Sequence, residues 1–222
     1  MRRYSPCTSD CPGSFILITD PFFYLVAVPA VFLLGLSKSG FGAGFGSLAV
    51  PMMALAVSVP EAAAIFMPLL LVMDVLTLKA FRRELDWALL RFMLPFGLAG
   101  IVAGALLFKM LNAQTVAGVV GIFAWLFLAQ RRLFPPTATS APPGRWWGAV
   151  LTTTSGFTSF VSHSGGPPVN AYVIPMRLAP TVFTGTLAAF FFVINLSKWV
   201  PYAWLGLLDA RNFSTSLVLL PI

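Results

Sequence analysis

Two clusters of small and turn-forming residues interrupt an otherwise apolar chain. The first is Ser39-Gly40-Phe41-Gly42-Ala43-Gly44-Phe45-Gly46, and the second is His163-Ser164-Gly165-Gly166-Pro167-Pro168. Glycine and proline stop a helix, and a stop at membrane depth must be buried in protein or line a wet cavity, because lipid offers the backbone no hydrogen bonds. Each stop also leaves unpaired N–H groups at the start of the following half-helix, where the peptide dipoles favour an anion. Pro167 and Pro168 suit such a first turn, since their missing N–H groups would be unpaired there anyway. Gly40, Gly42, Gly44 and Gly46 also have a packing reading, because small residues let membrane helices approach. The second break favours a binding role for the pair, because packing alone has no use for two adjacent prolines.

Several polar residues accompany the breaks. His163 is the sole histidine of the chain, readable as a structural hydrogen-bonding residue, as an anion contact or as a group titrating near neutral pH. Ser39, Ser47, Ser162, Ser164 and Asn170 are neutral donors that can replace part of an anion's hydration. Asp74, Lys79, Asn195 and Lys198 fall inside long apolar runs, where ionisable groups are costly and mark function by default. Lys79 lies beside Arg82-Arg83 and can snorkel to the interface. Lys198 neighbours Trp199, Pro201, Tyr202 and Trp204, a set expected to form an interfacial belt. Asp74 reads equally as a proton carrier or as half of an ion pair with a Lys or Arg, and Glu61 as a first-turn helix charge. The expected substrate contacts are Ser39, Gly40, Phe41, Gly42, Gly44, Gly46, His163, Ser164, Gly165, Gly166, Pro167, Asn170, Asn195 and Lys198. Asp74 and His163 are the candidates for proton coupling, and no catalytic or metal-binding residue is expected.

Composition explains what must hold these residues. Of 222 residues, 58% are hydrophobic and 9% charged, with a mean hydropathy of +0.88, whereas soluble domains carry about a quarter charged residues. A water-soluble enzyme is excluded. The net charge of +7 is spread as single or paired Lys and Arg between apolar runs, the pattern of membrane-surface loops and not of a nucleic-acid patch. Cys7 and Cys11, the only cysteines, precede the first apolar run and build no core framework.

A helix needs about 20 apolar residues to cross the hydrocarbon core. Candidate segments run over residues 22–36, 62–81, 89–108, 116–129, 146–162 and 182–204, with shorter pieces at 48–59 and 169–176 and a last run from Phe213 that is cut at Ile222. The expected fold is an all-α polytopic membrane protein of two repeated halves, each with a Gly/Pro-broken helix. Residues 1–21 form an extension, 22–133 the first repeat, 134–146 a Pro-rich linker and 147–222 an incomplete second repeat. The order of breaks recurs at a period of roughly 120 residues, and paired interruptions in two halves point to a transporter's binding site. With the Arg82-Arg83 loop and the linker both cytoplasmic, the halves are inverted if the 48–59 piece crosses and parallel if it re-enters.

The motif Gly35-Leu36-Ser37-Lys38-Ser39-Gly40-Phe41-Gly42-Ala43-Gly44 with Ala49-Val50-Pro51 resembles the sulfite exporter TauE/SafE family. So do Gly156-Phe157-Thr158-Ser159-Phe160-Val161-Ser162 with the second break, Phe183-Thr184-Gly185-Thr186, and Asn195-Leu196-Ser197-Lys198. The likeness extends over about residues 22–222, and implies a multi-pass permease of a bacterial inner membrane that moves sulfite, sulfonates or related anions. Ser39, Ala43, Ser162 and Ser164 depart from the family's usual residues, and the family's further helix and basic tail are absent.

The leading expectation is therefore a secondary or passive alternating-access transporter for a small anion, with membrane lipid as its surroundings and no cofactor or nucleic-acid partner. No P-loop pattern occurs. The rivals are a membrane-embedded enzyme, which needs a nucleophile and base, paired carboxylates or a metal cluster, and a channel or scaffold subunit that moves nothing alone.

Overall fold

The computed structural model describes residues 17–18, 20–38, 45–110, 113–133 and 144–221. Helix α1 spans Pro21–Lys38, and a 3-10 turn, Phe45–Leu48, leads into the short α2, Ala49–Met53. Three long helices follow: α3 Val59–Phe81, α4 Trp87–Met110 and α5 Ala113–Leu133. Then come α6 Arg145–Ser162, the half-length α7 Gly166–Val173, a 3-10 turn Ile174–Met176, α8 Pro180–Trp204 and α9 Ala210–Leu219. Among the described residues there is no strand.

Four of these helices are long and apolar enough to cross a membrane: Pro21–Lys38, Val59–Phe81, Trp87–Phe108 and Pro180–Trp204. The chain is an all-α membrane protein, as its composition requires. Helix α6 falls short in hydropathy because Thr152, Thr153, Thr154, Ser155, Thr158, Ser159 and Ser162 crowd its length. Helix α2 has 5 residues and rises about 8 Å, so it does not by itself cross a hydrocarbon core of about 30 Å.

Local chemistry sets the helix starts. Ser58 caps α3, its hydroxyl accepting from the Glu61 N–H at 3.4 Å, and Glu61 lies in the first turn as a charge complementary to the dipole. Asp86 caps α4 by accepting from the Leu89 N–H at 2.9 Å. Pro180 occupies the first turn of α8, where it costs no hydrogen bond.

Packing divides each helix into a protein face and a lipid face. On α1, Phe23, Ala27, Ala30, Val31 and Leu34 are buried, whereas Phe22, Leu25, Val28 and Phe32 are exposed. Such a wide apolar exterior would aggregate in water and is solvated by lipid. The closest helix pair is α4 against α6. A Cβ at Gly156 would stand 2.0 Å from the Gly97 carbonyl oxygen, and one at Gly100 would stand 2.1 Å from that of Thr153, so the two backbones touch as small residues allow.

Two side chains reach the α3 backbone beside its proline. Pro68 inside α3 withdraws the N–H that the Ala64 carbonyl would otherwise accept. On either side of that carbonyl, Ala63 accepts from His163 Nε2 at 2.9 Å and Ile65 accepts from the Ser216 hydroxyl at 2.6 Å. The end of α6 and helix α9 are thereby tied to α3 about one turn before Pro68.

Candidate functional site

The second break is a built turn. Helix α6 ends at His163, which takes a left-handed conformation with φ 54° and ψ 20°, uncommon for a residue other than glycine. The His163 N–H donates to the Ser159 carbonyl at 3.1 Å and the Ser164 N–H to that of Thr158 at 3.3 Å. The carbonyls released by the turn are taken by α6 itself. Ser155 Oγ donates to the Gly165 oxygen at 2.6 Å, and Thr158 Oγ1 lies 3.0 Å from the Ser164 oxygen. The Ser and Thr content that lowers the hydropathy of α6 is thus what satisfies the broken backbone.

The two breaks touch. Ser164 Oγ donates to the Ser47 carbonyl at 3.2 Å, joining the turn before α7 to the 3-10 turn before α2. Of the first-break residues expected to bind, Gly46 lines the cavity described below; Ser39, Gly40, Phe41, Gly42 and Gly44 lie outside the described residues. Ser162 and Ser164, expected as anion donors, are spent on this junction: Ser162 Oγ lies 3.0 Å from Ser164 Oγ and 3.3 Å from the Thr158 oxygen. The start of α7 also offers fewer amides than a helix start ordinarily does, because Pro167 and Pro168 occupy its first turn.

Polar side chains instead converge from four helices. Lys38, the last residue of α1, forms an ion pair with Asp74 of α3 at 2.5 Å, and its ammonium lies 4.7 Å from the centre of the Phe191 ring. The other Asp74 oxygen accepts from Asn195 Nδ2 of α8. Asn195 Oδ1 accepts from Lys198 at 2.8 Å, which fixes the amide orientation, since the flipped amide would set its oxygen against the carboxylate and its NH2 against the amine. Lys198 Nζ also reaches Ser159 Oγ at 2.8 Å and His163 Nδ1 at 3.1 Å. These three acceptors match the three donors of an ammonium. A carbonyl carries no proton, so His163 Nε2 is the donor to Ala63 and Nδ1 the acceptor, which is the neutral Nε2–H tautomer.

Lys198 is fully buried, so its amine faces protein. Tyr202 is buried beside it and donates to the Phe160 carbonyl at 2.9 Å, while Trp204 is exposed. Lys79 is exposed, in line with a snorkelling role. Asp74 has the partner that an acid inside a span requires, and the partner is Lys38, a residue absent from the expected site. A carboxylate deep in an apolar run calls for a cation, and the nearest unassigned one beside a break was Lys38; that charge-matching was the signal available in the sequence.

A cavity of about 140 Å3 lies against this network. Its polar wall includes Ser37, Lys38, Ser47, Asp74, Thr77, Ser159, His163, Asn170, Thr184 and Asn195, and its apolar wall includes Leu34, Leu70, Phe183, Leu187 and Phe191. Gly46 and Gly166 contribute bare backbone to it. Ser164, Gly165, Pro167 and Lys198 do not line it; they stand behind the residues that do. A Cβ at Gly165 would press on the Ser155 carbonyl, Ser159 and Phe191, whereas one at Gly166 would meet nothing nearer than Asn170 Nδ2 at 4.0 Å.

A family model described as Sulfite exporter TauE/SafE matches residues 27–222. The chain belongs to the sulfite exporter TauE/SafE family. TauE/SafE proteins form a membrane transporter family for sulfite and related sulfur anions, and the four apolar helices agree with a multi-pass membrane location. No curated protein and no solved structure matches the chain. Among the described residues no group of three His, Cys, Asp or Glu side chains stands close enough to hold a metal ion.

Proposed function

We propose that the chain is a secondary transporter that carries a small sulfur-containing or organic anion, such as sulfite or a sulfonate, through the cavity beside Lys38. The observation that carries this reading is the unequal burial of the ion pair. Lys38 keeps 22% of its side-chain surface accessible while Asp74 keeps 1%, so of these two cavity-lining partners the cation is the more open to a solute. Asn170 and the Gly166 backbone supply neutral donors beside it, a combination that strips water from an oxyanion without holding it irreversibly. The junction of the two breaks supports alternating access. Among the described residues it joins two segments distant in sequence through a hydroxyl–carbonyl contact, apart from the tight α4 and α6 pair.

Reconstitution tests the reading. Purified chain in liposomes should move labelled sulfite or methanesulfonate with saturation and mutual competition, and Lys38→Gln should raise the half-saturating concentration at least tenfold, about 1.4 kcal/mol of lost binding. Flux of both probes no faster than in empty liposomes overturns it. Conversion of either probe without its movement would indicate an enzyme.

A further inference from the structure

We infer that anion binding in this cavity is coupled to proton uptake by Asp74, because the incoming anion takes over Lys38 and leaves the carboxylate without its cation. The inference rests on the anion-transport reading above and deepens it by assigning the coupling ion.

Asp74 is held by two contacts, Lys38 Nζ on Oδ1 and Asn195 Nδ2 on Oδ2. Charged or titratable groups face it from three elements: Lys38 from α1, Lys198 from α8 through Asn195, and His163 from α6 through Lys198. Lys198 is occupied by Ser159, Asn195 and His163, and His163 is the neutral tautomer engaged with Ala63. Neither can move to Asp74 without abandoning its own buried partners. Lys38 is the cation that can be drawn away, being at the cavity wall and partly accessible.

An anion entering the cavity is attracted to the same ammonium. When Lys38 turns to it, Asp74 retains the Asn195 hydrogen bond on Oδ2 but has an unpaired charge on Oδ1 in a site that is 1% accessible. A buried carboxylate stripped of its cation is strongly destabilised, and taking a proton removes that charge. The proton comes from water in the cavity and bonds to Oδ1. It leaves from there as water takes it up on the other side, when the anion departs and Lys38 returns. Lys38 and Asp74 sum to zero charge when the site is empty, and Lys38, a monoanion and protonated Asp74 sum to zero when it is loaded. Both forms of the carrier therefore present the same charge to the membrane.

The test uses the full chain in liposomes with the voltage clamped at zero by potassium and valinomycin. The main probe is labelled methanesulfonate, a strong acid that cannot itself ferry the proton, with sulfite in parallel. One proton per monoanion predicts about tenfold accumulation on the alkaline side of a gradient of about one pH unit, with matching proton entry read by an internal dye. Saturable flux that equalises concentrations regardless of the gradient, without proton entry, overturns the inference while leaving the anion reading in place. Absence of saturable flux for both probes overturns the reading itself. Asp74→Asn provides the second arm: whatever exchange of labelled for unlabelled probe it retains should not respond to the gradient. Full gradient-driven accumulation by D74N also overturns the inference, and the wild-type ratio decides on its own if the variant fails to insert.

Discussion

Ser164 Oγ lies 3.2 Å from the Ser47 carbonyl oxygen, a contact between positions 117 residues apart in the chain. Among the described residues it bonds the two broken segments directly, through a side chain and not through the backbone amides that a break releases. Ser164→Ala removes the donor while the neighbouring Ser162 keeps its bond to the Thr158 oxygen. The expected loss is about 1 kcal/mol of stability, seen as a lower midpoint of thermal unfolding in detergent. A midpoint equal to wild type would show that the contact does not hold the breaks together.

Gly166 has a backbone position from which a side chain grows into the cavity, because a Cβ there meets only Asn170 Nδ2 at 4.0 Å. Gly166→Leu should therefore insert and fold like wild type, judged by size-exclusion profile and unfolding midpoint, and lose anion flux. Normal flux would remove the second break from the path of the solute. Gly166→Ala, which adds one methyl in ordinary contact, should retain most activity.

Gly156 gives the opposite expectation. A Cβ there would overlap the Gly97 carbonyl oxygen at 2.0 Å, a rigid backbone group that cannot swing aside. Gly156→Ala should force α4 and α6 apart and cost about 1–3 kcal/mol or more, with a fall in folded yield and unfolding midpoint. Unchanged stability would mean that the two helices do not touch at this point.

Breaking and restoring the ion pair separates its structural role from its functional one. Lys38→Gln strands the buried Asp74 carboxylate, which should destabilise the fold by about 3 kcal/mol. In the double variant Lys38→Gln with Asp74→Asn, two neutral amides replace the pair and most of that stability should return, a coupling that a double-mutant cycle measures. The raised half-saturating concentration should not recover with it, because the cation at the cavity wall is still missing. Recovery of the wild-type half-saturating concentration in the double variant would show that Lys38 serves the fold alone.

Much of the architecture was legible from residue order. Apolar runs near the length of a bilayer predicted α1, α3, α4 and α8, and the observed bounds differ by a turn or less where Ser58, Asp86 and Pro180 set the starts. The piece at 48–59 was legible as too short to span, and it resolves into a 3-10 turn and the 5-residue α2. Asp74 and Asn195 stood out as polar residues inside apolar runs, and both line the cavity. Lys38 was masked by its position at a helix end, where a basic residue is ordinarily interfacial. Lys198 stood out inside an apolar run as well, although its aromatic neighbours in sequence say nothing about which face of a helix turns inward.

The sequence by itself determined that this chain lives in lipid, that its helices break at two places, and that ionisable groups inside its spans need partners. Those follow from composition and from the cost of unpaired polar groups in hydrocarbon, which act on each segment alone. Only the tertiary structure decided who the partners are. Lys38 meets Asp74 from 36 positions away, Asn195 meets it from 121, and His163 finds the Ala63 carbonyl from 100. Such pairings depend on how four helices rotate and lean against one another, and a linear pattern carries no record of that rotation.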